Sequence, residues 1–138
     1  LCRDGTVVGW GDDSYGQISI PADLGAVRAI AAGANHSVAL LVDGTVRTWG
    51  NSAAGLGTIP ASATNIVAVT AGATHTVVIT ASGTLVAWGS NTSGQTTIPA
   101  GATNVVAVSA GSNHTLAFLA DGTVLCWGAN SAGQCSIP

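Results

Sequence analysis

IVAVTAGATHTVVITASGTLVAWGSNTSGQTTIP, residues Ile66–Pro99, holds short apolar, β-branched runs separated by glycine and small polar residues. IVAVTA (Ile66–Ala71) is brief and apolar throughout, which predicts a strand buried on both faces. HTVVIT (His75–Thr80) follows after a short connection and is again β-branched. Ser82-Gly83 stands between this run and TLVAW (Thr84–Trp88); the matching dipeptides are Asp4-Gly5, Asp43-Gly44 and Asp121-Gly122. Asp-Gly between two β-prone runs predicts a two-residue hairpin turn with positive φ at both turn residues. QTTIP (Gln95–Pro99) reads as a fourth strand, held to a sheet edge because its proline has no N–H for a ladder bond. No segment has helical periodicity.

The same phrase recurs along the chain. Trp10, Trp49, Trp88 and Trp127 are 39 residues apart, as are Pro21, Pro60, Pro99 and Pro138, and His36, His75 and His114. Residues 1–21 are then an outer half-blade, and 22–60, 61–99 and 100–138 are three full units. Four antiparallel strands in about 40 residues predict a blade of a β-propeller. The expected fold is all-β: about three and a half blades, a partial propeller. Small residues in the first strand suit the crowded axis, and the tryptophans suit the wider outer part. A β-solenoid would need parallel ladders, against which the repeated hairpin signals argue.

Of the 138 residues 47% are hydrophobic and only 7% charged, which is the balance of a folded chain. Arg3, Arg28 and Arg47 are the only cations, too few and too scattered for a nucleic-acid surface. No apolar run approaches the roughly 18 residues of a membrane span, and no signal peptide is visible. The chain has no methionine and opens in mid-repeat, which predicts a processed or excised piece of something longer. A surface rich in Thr, Ser, Asn and Gly points to a secreted or cell-surface bacterial protein.

VVAVSAGSNHTLAFLADGTVLCWGANSAGQ (Val105–Gln134) resembles the repeat of the regulator of chromosome condensation family, which reads approximately AGxNHTxALxxDGxVxxWGxNxxGQ. The likeness recurs in every unit. It implies a propeller, seven-bladed in that family. The even spacing and the Ile-Pro ending are similar to the short-repeat bacterial branch that includes the propeller-type β-lactamase inhibitor protein. That inhibitor grips its target with aromatic residues between the first and second strands. The corresponding loops here, Ala34-Asn35, Ala73-Thr74 and Ser112-Asn113, have none, and Tyr15 in DDSYG is the one loop aromatic of that kind. The family's exchange factors work through insertions and acidic surfaces that this chain lacks. Neither activity is carried over to it.

His36, His75 and His114, one per unit at equivalent positions, form a ring and not a metal cluster, so the expected role of each is a buried imidazole bonded to its surroundings. Asp12 and Asp13 are the only adjacent carboxylates, and they lie in a turn loop where Asp is favoured for turn formation alone. No nucleophile elbow or phosphate cradle is present. No catalytic residue, cofactor or metal is expected. Sequons begin at Asn35, Asn91 and Asn113, two of them within the repeat's own Asn-His-Ser/Thr phrase. Cys126 and Cys135 face one another if residues 129–132 close a hairpin loop, which allows either a disulfide or two reduced thiols, with Cys2 left over.

The expected function is that of a non-enzymatic module binding a protein partner through loops on one face. The residues for this are Asp12, Asp13, Ser14 and Tyr15, then Asn35, Thr74 and Asn113, with Tyr15 ranked first as an interface anchor. Trp10, Trp49, Trp88 and Trp127, with the three histidines, are assigned to structure. Two other readings stand: a sugar-binding or lyase-like propeller, and a structural repeat segment of a larger secreted or surface protein. An incomplete ring also leaves unpartnered blade faces, to be closed by self-association or by blades absent from the chain.

Overall fold

The computed structural model describes all residues 1–138 and contains nine strands and one single-turn 3-10 helix, Ala53–Gly55. The strands are β1 (Val27–Ala32), β2 (His36–Leu41), β3 (Val46–Gly50), β4 (Ile66–Ala71), β5 (His75–Thr80), β6 (Leu85–Gly89), β7 (Val105–Ala110), β8 (His114–Leu119) and β9 (Val124–Gly128). They form three antiparallel three-stranded sheets, β1-β2-β3, β4-β5-β6 and β7-β8-β9. Each repeat is thus one blade with three strands.

The fourth strand expected at Gln95–Pro99 does not form. Its N–H groups are used locally: Thr97 donates to the Gly94 carbonyl at 3.0 Å and Thr96 to Asn91 Oδ1 at 3.0 Å. Pro99 has nothing to donate. The Gln95 carbonyl is turned towards the next blade, where it accepts from Trp127 Nε1 at 2.9 Å and Thr115 Oγ1 at 3.0 Å. A segment whose polar groups are already committed cannot also build a ladder.

The hairpins differ from expectation as well. In Leu41–Thr45, Gly44 N–H donates to the Leu41 carbonyl at 3.0 Å and Leu41 N–H to the Thr45 carbonyl at 2.9 Å. Only Gly44 has positive φ, at 81°. Asp43 stays on the ordinary side because its carboxylate accepts from both the backbone N–H and the hydroxyl of Thr45, at 2.9 and 2.7 Å. This is a three-residue hairpin loop closed by a glycine bulge, not the two-residue turn.

There is no single core. Three apolar layers are stacked between successive units. Leu24, Val27 and Ala39 seal the first 21 residues against the first blade; Val38, Leu40, Val46, Ile66, Val78 and Trp88 join the first and second blades; Val77, Ile79, Leu85, Val105, Leu119 and Trp127 join the second and third. The strand buried along its whole length is β5, the middle strand of the middle blade, and not β4, whose Val67 is 42% exposed beside a bulge in the register.

Near the axis the backbones touch. A Cβ placed on Gly72 would strike the His75 ring and the Gly111 carbonyl of the next blade, and Gly33 stands in the same relation to His36 and Gly72. The Ala-Gly-x-x-His phrase therefore encodes a histidine folded over its own glycine, with the next blade's backbone pressed on top. Gly72→Ala is expected to lower stability by about 2 kcal/mol or more. Gly101→Ala, where the site is open, should change it by less than about 0.5 kcal/mol. Urea midpoints of the two variants check this contrast.

Cys126, on β9, is disulfide-bonded to Cys135 on the returning segment, with their Cα atoms 5.2 Å apart. In each earlier unit that segment is held by the next blade: Gln17, Leu56 and Gln95 offer their carbonyls to Trp49, Trp88 and Trp127. The equivalent Gln134 carbonyl meets only Cys126 Sγ, at 3.7 Å. The covalent bond ties this segment to β9 as well. Reduction is expected to speed hydrogen exchange in residues 129–138 while leaving β5 unchanged, as peptide-resolved exchange would show.

Candidate interaction face

Two sets of loops share one end of the blades. The Asn35, Thr74 and Asn113 carbonyls accept from the N–H groups of Asn51, Ser90 and Ala129, at 2.8, 2.7 and 2.8 Å. The short loops after β1, β4 and β7 are thereby joined to the longer loops after β3, β6 and β9. Close approach makes this possible: at Gly50, Gly89 and Gly128 a Cβ would meet those same carbonyls, and all three glycines have positive φ. The Asp-Gly hairpins lie at the opposite end, where the Gly44 and Gly83 carbonyls accept from Ile66 and Val105, both at 2.9 Å. Asn35, Thr74 and Asn113 thus lie on one face with the loops equivalent to Asp12–Tyr15.

The longer loops have a common frame. Asn91 Oδ1 accepts from Thr96 N–H and Asn130 Oδ1 from Cys135 N–H, while Gln95 Oε1 accepts from Ser93 N–H and Gln134 Oε1 from Ala132 N–H. In the first unit Asp13 takes the place of asparagine. It accepts from Ile18 N–H at 2.9 Å and Ser19 Oγ at 2.7 Å, and Gln17 Oε1 accepts from Tyr15 N–H at 2.8 Å. Asp12 adds a second clasp, accepting from Ser14 Oγ and from Gln17 Nε2. In the second unit Ser52 and Leu56 supply neither brace. That loop closes instead as the 3-10 turn, with Ala54 in the left-handed region at φ 54°.

These bonds give the Asp12–Tyr15 loop a fixed shape. The hydroxyl of Ser14 and the amide of Gln17 hold the Asp12 carboxyl below its usual range; Ser19 and the Ile18 N–H do the same for Asp13. Both are ionised near neutrality and place the charge of this face at one side. Tyr15 projects beside them and is 53% exposed.

The histidines lie beneath this face. His36 Nε2 is 3.0 Å from Thr76 Oγ1 and His75 Nε2 is 3.0 Å from Thr115 Oγ1, each reaching from one blade to the next. Thr115 donates its own proton to the Gln95 carbonyl, so His75 is the donor through Nε2–H. The Nδ1 atoms of His36 and His75 are buried without a partner. His114 is only partly buried and has no following blade in this chain to reach.

Sequence reasoning missed the staple. Three of its acceptors are the main-chain carbonyls of Gln17, Leu56 and Gln95, and a carbonyl leaves no side-chain signature; the recurrence of glutamine at 17, 95 and 134 was the only trace. Trp10, expected to fill a blade, is instead 82% exposed, whereas Trp88 and Trp127 are 6% and 8% exposed. The segment that carries it belongs to none of the three sheets.

The regulator of chromosome condensation (RCC1) repeat model matches residues 27–55, 66–95 and 105–134. Among solved structures, the chain is similar to the WD40 ectodomain of the Arabidopsis thaliana receptor kinase ACR4, at 29% identity over 91% of this chain and 45% of that one, TM-score 0.76. It is similar to the entire ectodomain of the Physcomitrella patens receptor kinase CR4, at 26% identity over 86% and 34% of the two chains, TM-score 0.69. It superposes on a structure of Kap60 bound to yeast RCC1 (Prp20), at 23% identity over 100% and 42%, TM-score 0.82, a likeness of fold. The chain therefore spans less than half the length of each. Comparison with curated protein sequences finds no match.

Burial lowers the pKa of His36, and burial with the neighbouring His36 and His114 brings His75 to about 4. A histidine free in the unfolded chain takes up its proton near 6.5, so the unfolded state binds more protons below that value. Stability is expected to be full above pH 6.5 and to fall as pH drops towards 4, before the lowered carboxylates respond below about 3.8. Urea midpoints at pH 7.5, 5.5 and 4.5 measure this limb, which His75→Gln should flatten.

Proposed function

The chain belongs to the regulator of chromosome condensation (RCC1) repeat family, and on that footing we propose that it is a non-enzymatic protein-binding segment of a propeller. The observation that carries this is the separation of its two ends. One end repeats the same Asp-Gly hairpin or its Ser-Gly variant, while the other gathers the loops that differ most from unit to unit. The Asp12–Tyr15 loop stands furthest from the theme: two ionised carboxylates beside an exposed tyrosine, in a loop braced by five hydrogen bonds accepted by the side chains of Asp12, Asp13 and Gln17, two of them from backbone N–H groups. A rigid loop presenting an aromatic residue loses little conformational entropy on binding, which favours it as an anchor.

The partner class is protein. Yeast RCC1 is bound by Kap60 in the structure cited above, and a partner here would be recognised by its own chemistry: a cationic or hydrogen-bond-donating group for Asp12 and Asp13, with an apolar pocket for Tyr15. A catalytic role is not proposed: each carboxylate serves as a loop brace, Asp12 accepting from Ser14 and Gln17 and Asp13 from Ile18 and Ser19, and keeps acceptor capacity for a partner's donor. An extracytoplasmic location is proposed from the disulfide, which persists in oxidising compartments, and fits with the receptor ectodomains among the similar structures. No helix is long and apolar enough to cross a membrane.

Partners are to be captured by crosslinking on the folded chain and their affinities measured with loop variants. Tyr15→Ala is expected to weaken binding about tenfold or more, and Asp12→Asn to weaken it less and remove part of its salt dependence. Unchanged binding in both would favour the spacer reading, and selective retention on a glycan array would favour the sugar-binding one.

A further inference from the structure

Two of the longer loops share one frame and differ at one decisive place. In the first, Asp13 Oδ1 accepts from Ile18 N–H at 2.9 Å, Gln17 Oε1 from Tyr15 N–H at 2.8 Å and the Asp13 carbonyl from Gly16 N–H at 3.0 Å. In the loop after β6, Asn91 Oδ1 accepts from Thr96 N–H, Gln95 Oε1 from Ser93 N–H and the Asn91 carbonyl from Gly94 N–H. Those distances are 3.0, 2.8 and 3.1 Å. Gly16 and Gly94 turn the two loops at φ 78° and 80°. In the repeat register Asp12 corresponds to Ser90, Ser14 to Thr92 and Gln17 to Gln95.

That place holds a carboxylate in one loop and none in the other. Asp12 spans the first frame, Oδ1 accepting from Ser14 Oγ and Oδ2 from Gln17 Nε2 at 2.7 Å. The Ser90 hydroxyl meets only Thr92 Oγ1, at 3.3 Å, and Gln95 Nε2 is buried with no partner. Because Gln95 Oε1 is held as Gln17 Oε1 is, Nε2 turns towards the place that the Asp12 carboxylate fills. A buried amide donor without an acceptor is costly, and folded proteins keep few of them. The Gln95 carbonyl is stapled to Trp127 and Thr115 of the next blade, which anchors the amide where it stands. Asp12 is exposed while making both of its bonds, so the corresponding place beside Ser90 lies at the surface of the loop face. We propose that the loop Ser90–Gln95 binds a carboxylate supplied in trans, one oxygen accepting from Thr92 Oγ1 and the other from Gln95 Nε2. A carboxylate is favoured over a single carbonyl because the occupant of the frame in this same chain uses both of its oxygens. Resting on the reading of this face as protein-binding, its source is an Asp or Glu side chain of the partner. No charged residue lies between Thr48 and Ala120, so no anion of the second blade repels it. A partner offering a cation to Asp12 and Asp13 and an anion to Thr92 and Gln95 is thereby oriented on the face.

The probe is sodium acetate, exchanged for sodium chloride at constant ionic strength and neutral pH and followed by NMR on the isotope-labelled full chain. The side-chain amide of Gln95 is identified by its loss in Gln95→Leu, which repeats what the second unit has at Leu56. It should shift saturably with acetate and not with acetamide. Thr92→Val should weaken acetate binding about tenfold. Ser90→Asp, which closes the frame from within as Asp12 does, should abolish the saturable shift. Tyr15→Ala should leave the acetate titration unchanged, so failure of this site and failure of the protein-binding reading are told apart. With a crosslinked partner in hand, Ser90→Asp should weaken its binding about tenfold through like charge. A shift that rises linearly with acetate, meaning an adventitious ion only, overturns the proposal. So does an equal response to acetamide, a saturable shift that survives Ser90→Asp, or a Gln95 amide that exchanges with an ordered water and ignores acetate. Unchanged partner affinity in Ser90→Asp overturns the assignment of the carboxylate to the partner, whatever Tyr15→Ala does.

Discussion

One contact is repeated at every junction between units: a tryptophan indole N–H donates to a main-chain carbonyl of the preceding unit. Trp49 reaches Gln17 at 3.0 Å, Trp88 reaches Leu56 at 3.2 Å and Trp127 reaches Gln95 at 2.9 Å. A buried indole needs a partner for its single donor, so the ring cannot pack without the bond. In the same stroke the carbonyl is withdrawn from any ladder within its own unit. The histidine-to-threonine bonds and the glycine contacts at the axis fasten the inner ends of the two junctions between the three blades. Each unit supplies acceptors to the next and receives them from the last.

Coupling of that kind makes the molecule nearly one-dimensional. Burial is therefore graded along the chain and not radially: β5 is buried along its whole length, while Trp10 in the first unit and Phe118 in the third blade are exposed. The two ends are resolved differently. At the last unit a disulfide ties the returning segment to β9. At the first unit Val8 and Trp10 are exposed.

Much of the fold could be read in the repeat. The spacing of Trp10, Trp49, Trp88 and Trp127 marked the units, and the Asp-Gly dipeptides marked the hairpins. Their turn type could not be read there, because a carboxylate bonding forward to Thr45 lets Asp43 keep ordinary φ, so one positive-φ residue suffices. The fourth strand was misjudged for a similar reason: QTTIP has β propensity, but Asn91 and Gly94 take its N–H bonds first. On the candidate face, the standing of Asp12 and Tyr15 as outliers was visible in the copies of the loop. The double use of Asp13, as both charge and loop brace, needed the position of Ile18 and Ser19 in space.

By itself the sequence determined the repeat length, the all-β class, the antiparallel blades and the loops in which units differ, because each follows from local spacing and from residues with a narrow conformational range. Tertiary structure alone decided which strand is fully buried, that Gly72 is needed against His75 and Gly111, and that Asn35, Thr74 and Asn113 share a face with the longer loops. It also decided that Trp10, identical to its three counterparts in sequence, lies open to solvent. The physical reason is the same throughout. Those outcomes depend on carbonyls and surfaces of a neighbouring unit 32 to 40 residues away, and a main-chain carbonyl carries no mark of which neighbour will claim it.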